Sequence, residues 1–173
     1  MGVLTREQIL REIKQGTIEI EPFQEDQVGP GSIDLHLGNE FRVYRKTNRK
    51  THLDDEFSYS KEYYHTRKLE CGEALPLKPG QLVLGVTLEQ LKLTDSLCAF
   101  IEGRSRFARS GLFVHVSSGL VQPGSNNHQV LEIFNASPNE LELVPGTRIC
   151  QLVFMRATGG AAYSGSFQNQ TRP

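Results

Sequence analysis

The chain has 173 residues, a length that suits one domain with a sizeable core. A formal net charge of −1 supplies no global basic field to draw it to nucleic acid, and 38% apolar with 23% charged residues is an ordinary soluble balance. No apolar run approaches the roughly 20 residues that a membrane helix needs, and the first residues, MGVLTREQ, lack the apolar centre of a signal peptide, so a cytoplasmic protein without a membrane partner is expected. Cys71, Cys98 and Cys150 are far apart and odd in number, which argues against a disulfide framework; Cys98 and Cys150 sit in apolar runs and read as core.

Thr5 and Gln8 read as a capping box that opens a short helix. Ile9, Leu10 and Ile13 form its apolar face, and Gly16 is its stop. Thr17 to Ile20 alternates like a strand. Gly29-Pro30-Gly31 is a turn. Ile33, Leu35 and Leu37 then alternate with Ser32, Asp34 and His36 as a half-buried strand that continues over Asn39 to Tyr44. Residues 45 to 68 are polar, aromatic and irregular, and read as a surface excursion whose His52, His65, Asp54 and Asp55 are solvated rather than metal ligands. From Leu75 the pattern is β. Pro79-Gly80 feeds Gln81 to Thr87, and Pro145-Gly146 feeds Thr147 to Phe154, a weak internal echo. Many short strands between turn signals predict a sandwich, jelly roll or barrel.

The chemistry is concentrated between Gly103 and Phe134. Ser105 to Ser110 is the only helical pattern in the β region, with Ser105 as candidate N-cap and Gly111 as its end. Arg104, Arg106 and Arg109 beside a helix start would suit an anion, since free N–H groups and guanidinium forks both bind phosphate. A solvated basic turn fits the same residues. Further on, Val130 to Phe134 is a strand with Leu131 and Ile133 on one face and Val130, Glu132 and Phe134 on the other. Glu132 is the one charge in it. It is either an edge-strand side chain facing water or a carboxylate placed for proton transfer. The tail from Gly159 to Pro173 is too poor in apolar residues to pack alone, and is either frayed or ordered by a ligand or a neighbour.

Several motifs are missing. The chain has no Pro-Cys-x-x-Cys of a zinc deaminase, no Gly-x-x-x-x-Gly-Lys and no Gly-x-Ser-x-Gly.

Taken together, VGPGSIDLHLGNEFRVY (28–44), LKPGQLVLGVTLEQLKL (77–93), IEGRSRFARSGLFVHV (101–116), HQVLEIFN (128–135) and PGTRICQLVF (145–154) resemble the dCTP deaminase branch of the dUTPase-like superfamily. The resemblance implies an all-β fold, a distorted β-barrel or jelly roll with an N-terminal helix, in one domain over 1–173 with a tail at 159–173 that closes over the site. It implies homotrimers with active sites between subunits, and deamination of dCTP to dUTP without a catalytic zinc, Mg²⁺ being carried with the triphosphate. Position by position, Glu132 matches the catalytic glutamate, which takes a proton from the attacking water and passes it on as ammonia leaves. Arg109 matches the arginine that orients that site, and Ser105 a serine near the reacting base. Val116 and Ser118 fall where backbone groups hold the water and read the base. Arg104 falls where a phosphate binds, and Tyr163 and Gln170 match tail residues that cover the nucleotide.

The chain also departs from the family pattern. Arg106 stands where the family has a second serine. Gln122 stands in place of an aspartate that supports the sugar 3′-hydroxyl and, in hydrolysing relatives, assists water. A glutamine still hydrogen-bonds a hydroxyl but cannot act as a base. Ser118 replaces an alanine, and Ser166 a lysine of the tail. The favoured reading is therefore a dCTP deaminase. A dUTP diphosphatase or bifunctional enzyme, which Gly119 fits and Gln122 does not, is the second. A non-catalytic nucleotide-binding regulatory trimer is the third.

Overall fold

The computed structural model describes residues 2–48, 50–55 and 61–173. Twelve strands and two short α-helices are present among them. Helix α1 (Arg6–Gln15) is followed by β1 (Ile18–Glu21), β2 (Ile33–His36), β3 (Glu40–Tyr44), β4 (Tyr64–Lys68), β5 (Leu75–Leu77), β6 (Leu82–Leu93) and β7 (Leu97–Gly103). The single turn α2 (Ser105–Ala108) precedes β8 (Leu112–Val114), β9 (Leu120–Val121), β10 (Asn126–Asn135), β11 (Leu141–Leu143) and β12 (Arg148–Arg156).

The strands form three sheets. The largest runs β4-β3-β6-β10-β8, with β1 added to β6; the second runs β2-β12-β7-β9, and β11 pairs with β5 alone. Among the described residues the ladders do not close into a ring, so the expected barrel is realised as packed open sheets. One continuous core joins the two larger sheets. Phe41, Val83, Leu131 and Ile133 come from the first, and Ile33, Leu35, Ile101, Leu152 and Phe154 from the second. Alternation explains the choice: in β10 every second residue from Gln129 to Asn135 is buried, and the residues between them are half-exposed.

Helix α1 buries Ile9 and ends at Gly16, which takes the left-handed conformation at φ 75°. The capping box does not form: the Thr5 side chain makes no cap bond. The Arg6 N–H, a donor the box does not use, goes to the Pro30 carbonyl at 2.9 Å, so one of the free donors of the helix start is met by the chain it docks on. In α2 the N-cap is Arg104, not Ser105, because the Arg104 carbonyl accepts from Phe107 and Ala108. Four residues make too short a helix to carry the anion site expected at its start. The excursion at 45–68 also contains structure: β4 pairs with β3 over Tyr64–Lys68. Residues 49 and 56–60 of that stretch lie outside the described residues. His52 is exposed, with Nε2 4.0 Å from Asp54 Oδ2.

The tail is ordered against its own chain. It lies along the start of β10, with Tyr163 N–H donating to the Pro123 carbonyl (2.8 Å), Asn169 N–H to Asn126 (2.7 Å) and His128 N–H to Gln170 (2.9 Å). Backbone pairing supplies what its sparse apolar content could not. Gly124 permits the approach: it sits at φ 76°, and a Cβ there would lie 2.9 Å from Ala162 Cα. Among the described residues no helix is long and apolar enough to cross a membrane.

Candidate active site

Glu132 stands in the middle of β10, opposite Leu84 of β6, which is itself opposite Arg42 of β3. Residues directly opposite share a face, so this row turns Glu132 away from the core that takes Leu131 and Ile133. The half-buried carboxylate opens into a cavity of about 830 Å³. A volume of that order holds a small molecule with room for ordered polar contacts.

The loop from His115 to Gly119, between β8 and β9, holds the carboxylate. His115 takes the left-handed conformation at φ 58°, unusual for a residue with a Cβ. Its N–H donates to the Glu132 carbonyl at 2.6 Å. Its Nε2 lies 2.7 Å from the Ser118 carbonyl; a carbonyl only accepts, so Nε2 carries the proton. His115 Nδ1 is then a buried acceptor without a partner among the described residues. This turn brings Ser117 back over β10. Its N–H donates to Glu132 Oε2 at 3.1 Å, and its hydroxyl lies 2.8 Å from Oε1 and 2.7 Å from Oε2.

The cavity collects Glu132, Ser118, Gln122, Tyr163 and Gln170. The other expected site residues are placed elsewhere in the same chain. Ser105 and Arg109 are exposed on and beside α2, outside the cavity lining. Arg106 is exposed and lies over the Phe107 ring at 5.6 Å. Val116 is 67% exposed and does not line the cavity. Arg104 is engaged inside the fold: it pairs with Asp34 at 3.1 Å and donates to the Arg148 carbonyl at 3.1 Å. One protomer thus gathers the acid, the turn and the tail, but not the Ser105–Arg109 segment.

Two groups of cavity residues escaped sequence reasoning. One is the turn, where His115 lines the cavity and Ser117, itself outside the lining, holds Glu132. The other comes from the end of β3 and the excursion, where Tyr44, Arg45, Lys46, Thr47, Thr51 and Tyr63 form one wall. Only the sheet order reveals the second group, since β3 and β10 flank β6.

A second carboxylate is more deeply buried. Glu89, 1% exposed, accepts from the His36 N–H (2.8 Å), the Gln27 amide (2.8 Å) and His36 Nδ1 (2.5 Å). Arg148 donates to His36 Nε2 at 3.4 Å, which leaves Nδ1 as the protonated nitrogen. This network staples β2, β6 and β12 and lies away from the Glu132 cavity. Cys150, fully buried beside it, has its thiol pushed up by burial and then by Glu89 and Asp34.

The fold and cavity define a mostly β protein of packed open sheets with a carboxylate, Glu132, held at its cavity. A crystal structure of 2′-deoxycytidine 5′-triphosphate deaminase from Agrobacterium tumefaciens superposes with a TM-score of 0.68 at 21% identity, covering 91% of this chain. The match spans 48% of that chain, about half its length. A dUTPase of Staphylococcus bacteriophage 80alpha superposes at a TM-score of 0.50 and 11% identity over 87% of this chain and 97% of its own. The dCTP deaminase-like family model matches residues 3–157, and the chain belongs to that family. It is 36% identical over 170 residues to the "dCTP deaminase, dUMP-forming" of a Sulfurihydrogenibium species, covering 97% of this chain and 92% of the relative.

Proposed function

We propose that the chain is a hydrolytic dCTP deaminase, converting dCTP and water to dUTP and ammonia. The observation that carries this reading is Glu132, an outward-facing carboxylate pinned at the cavity by Ser117 in a chain of this family. Glu132 takes a proton from water, and the hydroxide adds to C4 of the cytosine. The carboxylic acid so formed returns the proton to the 4-amino nitrogen, the C4–N bond breaks to release ammonia, and the remaining C4 hydroxyl proton passes to N3 as the carbonyl forms. Ser118, Gln122, Tyr163 and Gln170 surround the nucleotide in the same cavity. Ser105 and Arg109 reach the cavity of a neighbouring copy in a homotrimer, which accounts for their exposure in the single chain. Val116, Arg104 and Arg106 contribute through that same contact or not at all. Mg²⁺ enters as part of the substrate, on the triphosphate.

A second reading adds hydrolysis of the dUTP to dUMP and diphosphate. It is favoured by the name of the Sulfurihydrogenibium relative. Gln122 stands against it, since its amide in the cavity cannot serve as a base. Incubation with dCTP and Mg²⁺ at neutral pH separates the two. Ammonia with dUTP as the end product supports deamination alone, and ammonia with dUMP and diphosphate supports the second reading. Absence of ammonia overturns both.

A further inference from the structure

The cavity carries a charge asymmetry that the reaction at Glu132 does not use. Among the described residues, Arg45 and Lys46 are the only lysine or arginine side chains in its lining. Both follow directly on β3. The row Arg42–Leu84–Glu132 sets β3 two strand spacings, about 10 Å, from β10. Arg45 is three residues beyond Arg42, so strand rise and spacing put it roughly 10–15 Å from Glu132. That is comparable to the span from base to terminal phosphate in an extended nucleoside triphosphate.

The Arg45 backbone is anchored, since its N–H donates to the Tyr63 carbonyl at 2.7 Å and so prolongs the β3–β4 ladder. The guanidinium and the Lys46 ammonium make no ion pair or hydrogen bond among the described residues. The tail residues over the cavity, Tyr163, Phe167 and Gln170, are uncharged. A polyanion entering a half-buried space that already holds one carboxylate needs cations, and it will turn its negative end toward them. A guanidinium fork and an ammonium are the groups suited to phosphate oxygens.

We propose that Arg45 and Lys46 bind the phosphate chain of the nucleotide, orient its base toward Glu132 and set the preference for a triphosphate over a monophosphate. This rests on the proposed deamination for its substrate class. The test is calorimetric affinity for dCTP and dCMP, with kcat/KM for both, in the wild-type protein and in Arg45→Gln, Lys46→Gln and the double variant. Each single change lowers dCTP affinity about tenfold, and the double change removes most of the dCTP-over-dCMP preference, while dCMP binding moves little. Added salt narrows the wild-type preference toward that of the double variant. An unchanged dCTP-to-dCMP ratio in the double variant, or a wild-type protein with no such preference, overturns the proposal. If the wild type binds dCTP without releasing ammonia, deamination fails as a reading, and the affinity ratio still decides the role of the two cations.

Discussion

Ser117 meets both oxygens of the Glu132 carboxylate, its N–H at 3.1 Å from Oε2 and its hydroxyl within 2.8 Å of each. A carboxylate on a strand keeps rotamer freedom unless something fixes it, and proton transfer tolerates little misplacement. Removing the hydroxyl leaves the backbone contact alone. Ser117→Ala is expected to lower kcat for dCTP by about ten- to a hundredfold with little change in KM. Ser117→Thr, which restores the hydroxyl, returns most of the rate. Steady-state ammonia release measures both; an alanine variant with the parental kcat would show that Ser117 does not position the base.

Glu132 itself is tested by an isosteric change. Glu132→Gln keeps shape and hydrogen bonding but cannot take a proton. Deamination falls by at least about 10²- to 10⁴-fold, while dCTP affinity, measured by calorimetry, stays near the parental value. Loss of affinity equal to the loss of rate would mean that the residue binds rather than transfers protons.

The exposed placement of Arg109, outside the cavity of its own chain, gives a prediction about assembly. In a cyclic trimer each site takes Glu132 from one copy and Arg109 from the next. Glu132→Gln and Arg109→Ala are each inactive alone. Random mixing of the two after co-refolding restores about a quarter of the parental sites, since each site needs an intact group from both parents. Recovery is read as ammonia release against the unmixed variants, and none is expected if each chain completes its own site.

The strands that the sequence displayed most clearly are those with one buried face. Ile33, Leu35 and Leu37 alternate because β2 is covered on one side, and a one-sided strand writes that burial into period two. Glu132 was visible for the same reason, as the charged interruption in an apolar strand. The wall formed by Arg45, Lys46 and Tyr63 was not, because its place depends on β3, β6 and β10 coming together over long separations. Ser117 depends on the left-handed turn at His115, which the enrichment of histidine in that conformation does not announce by itself. The Thr5 capping box did not form, and the helix start is instead docked through the Arg6 N–H on the Pro30 carbonyl.

Glu89 is the most exacting polar group of the interior. It sits 1% exposed with three donors; without it the His36 N–H loses its acceptor, and the Gln27 amide is left with the Asp34 carbonyl at 3.0 Å. Glu89→Ala is expected to cost about 3–5 kcal/mol of stability, because it breaks a buried pair and strands its partners. Urea unfolding monitored by circular dichroism gives the difference. A cost below about 1 kcal/mol would show that the network relaxes or fills with water.

Glu12 links stability to pH. The Thr17 hydroxyl at 2.5 Å, together with Arg156, holds its carboxyl below the ordinary value of 4.5 despite the opposing effect of burial. The folded chain therefore binds this proton more weakly than the unfolded chain, and stability rises with pH wherever the unfolded chain is the more protonated. The contribution of Glu12 is fully present above its unfolded value and is lost as pH falls through the lower folded value. Thr17→Val removes the largest cause of the shift. The variant should melt below the parent at neutral pH and approach it in acid, once Glu12 is protonated in both states. Thermal melts of the two proteins from neutral pH into the acid range measure the gap, and a gap that stays constant with pH would mean that Thr17 stabilises the fold by a route other than the Glu12 carboxylate.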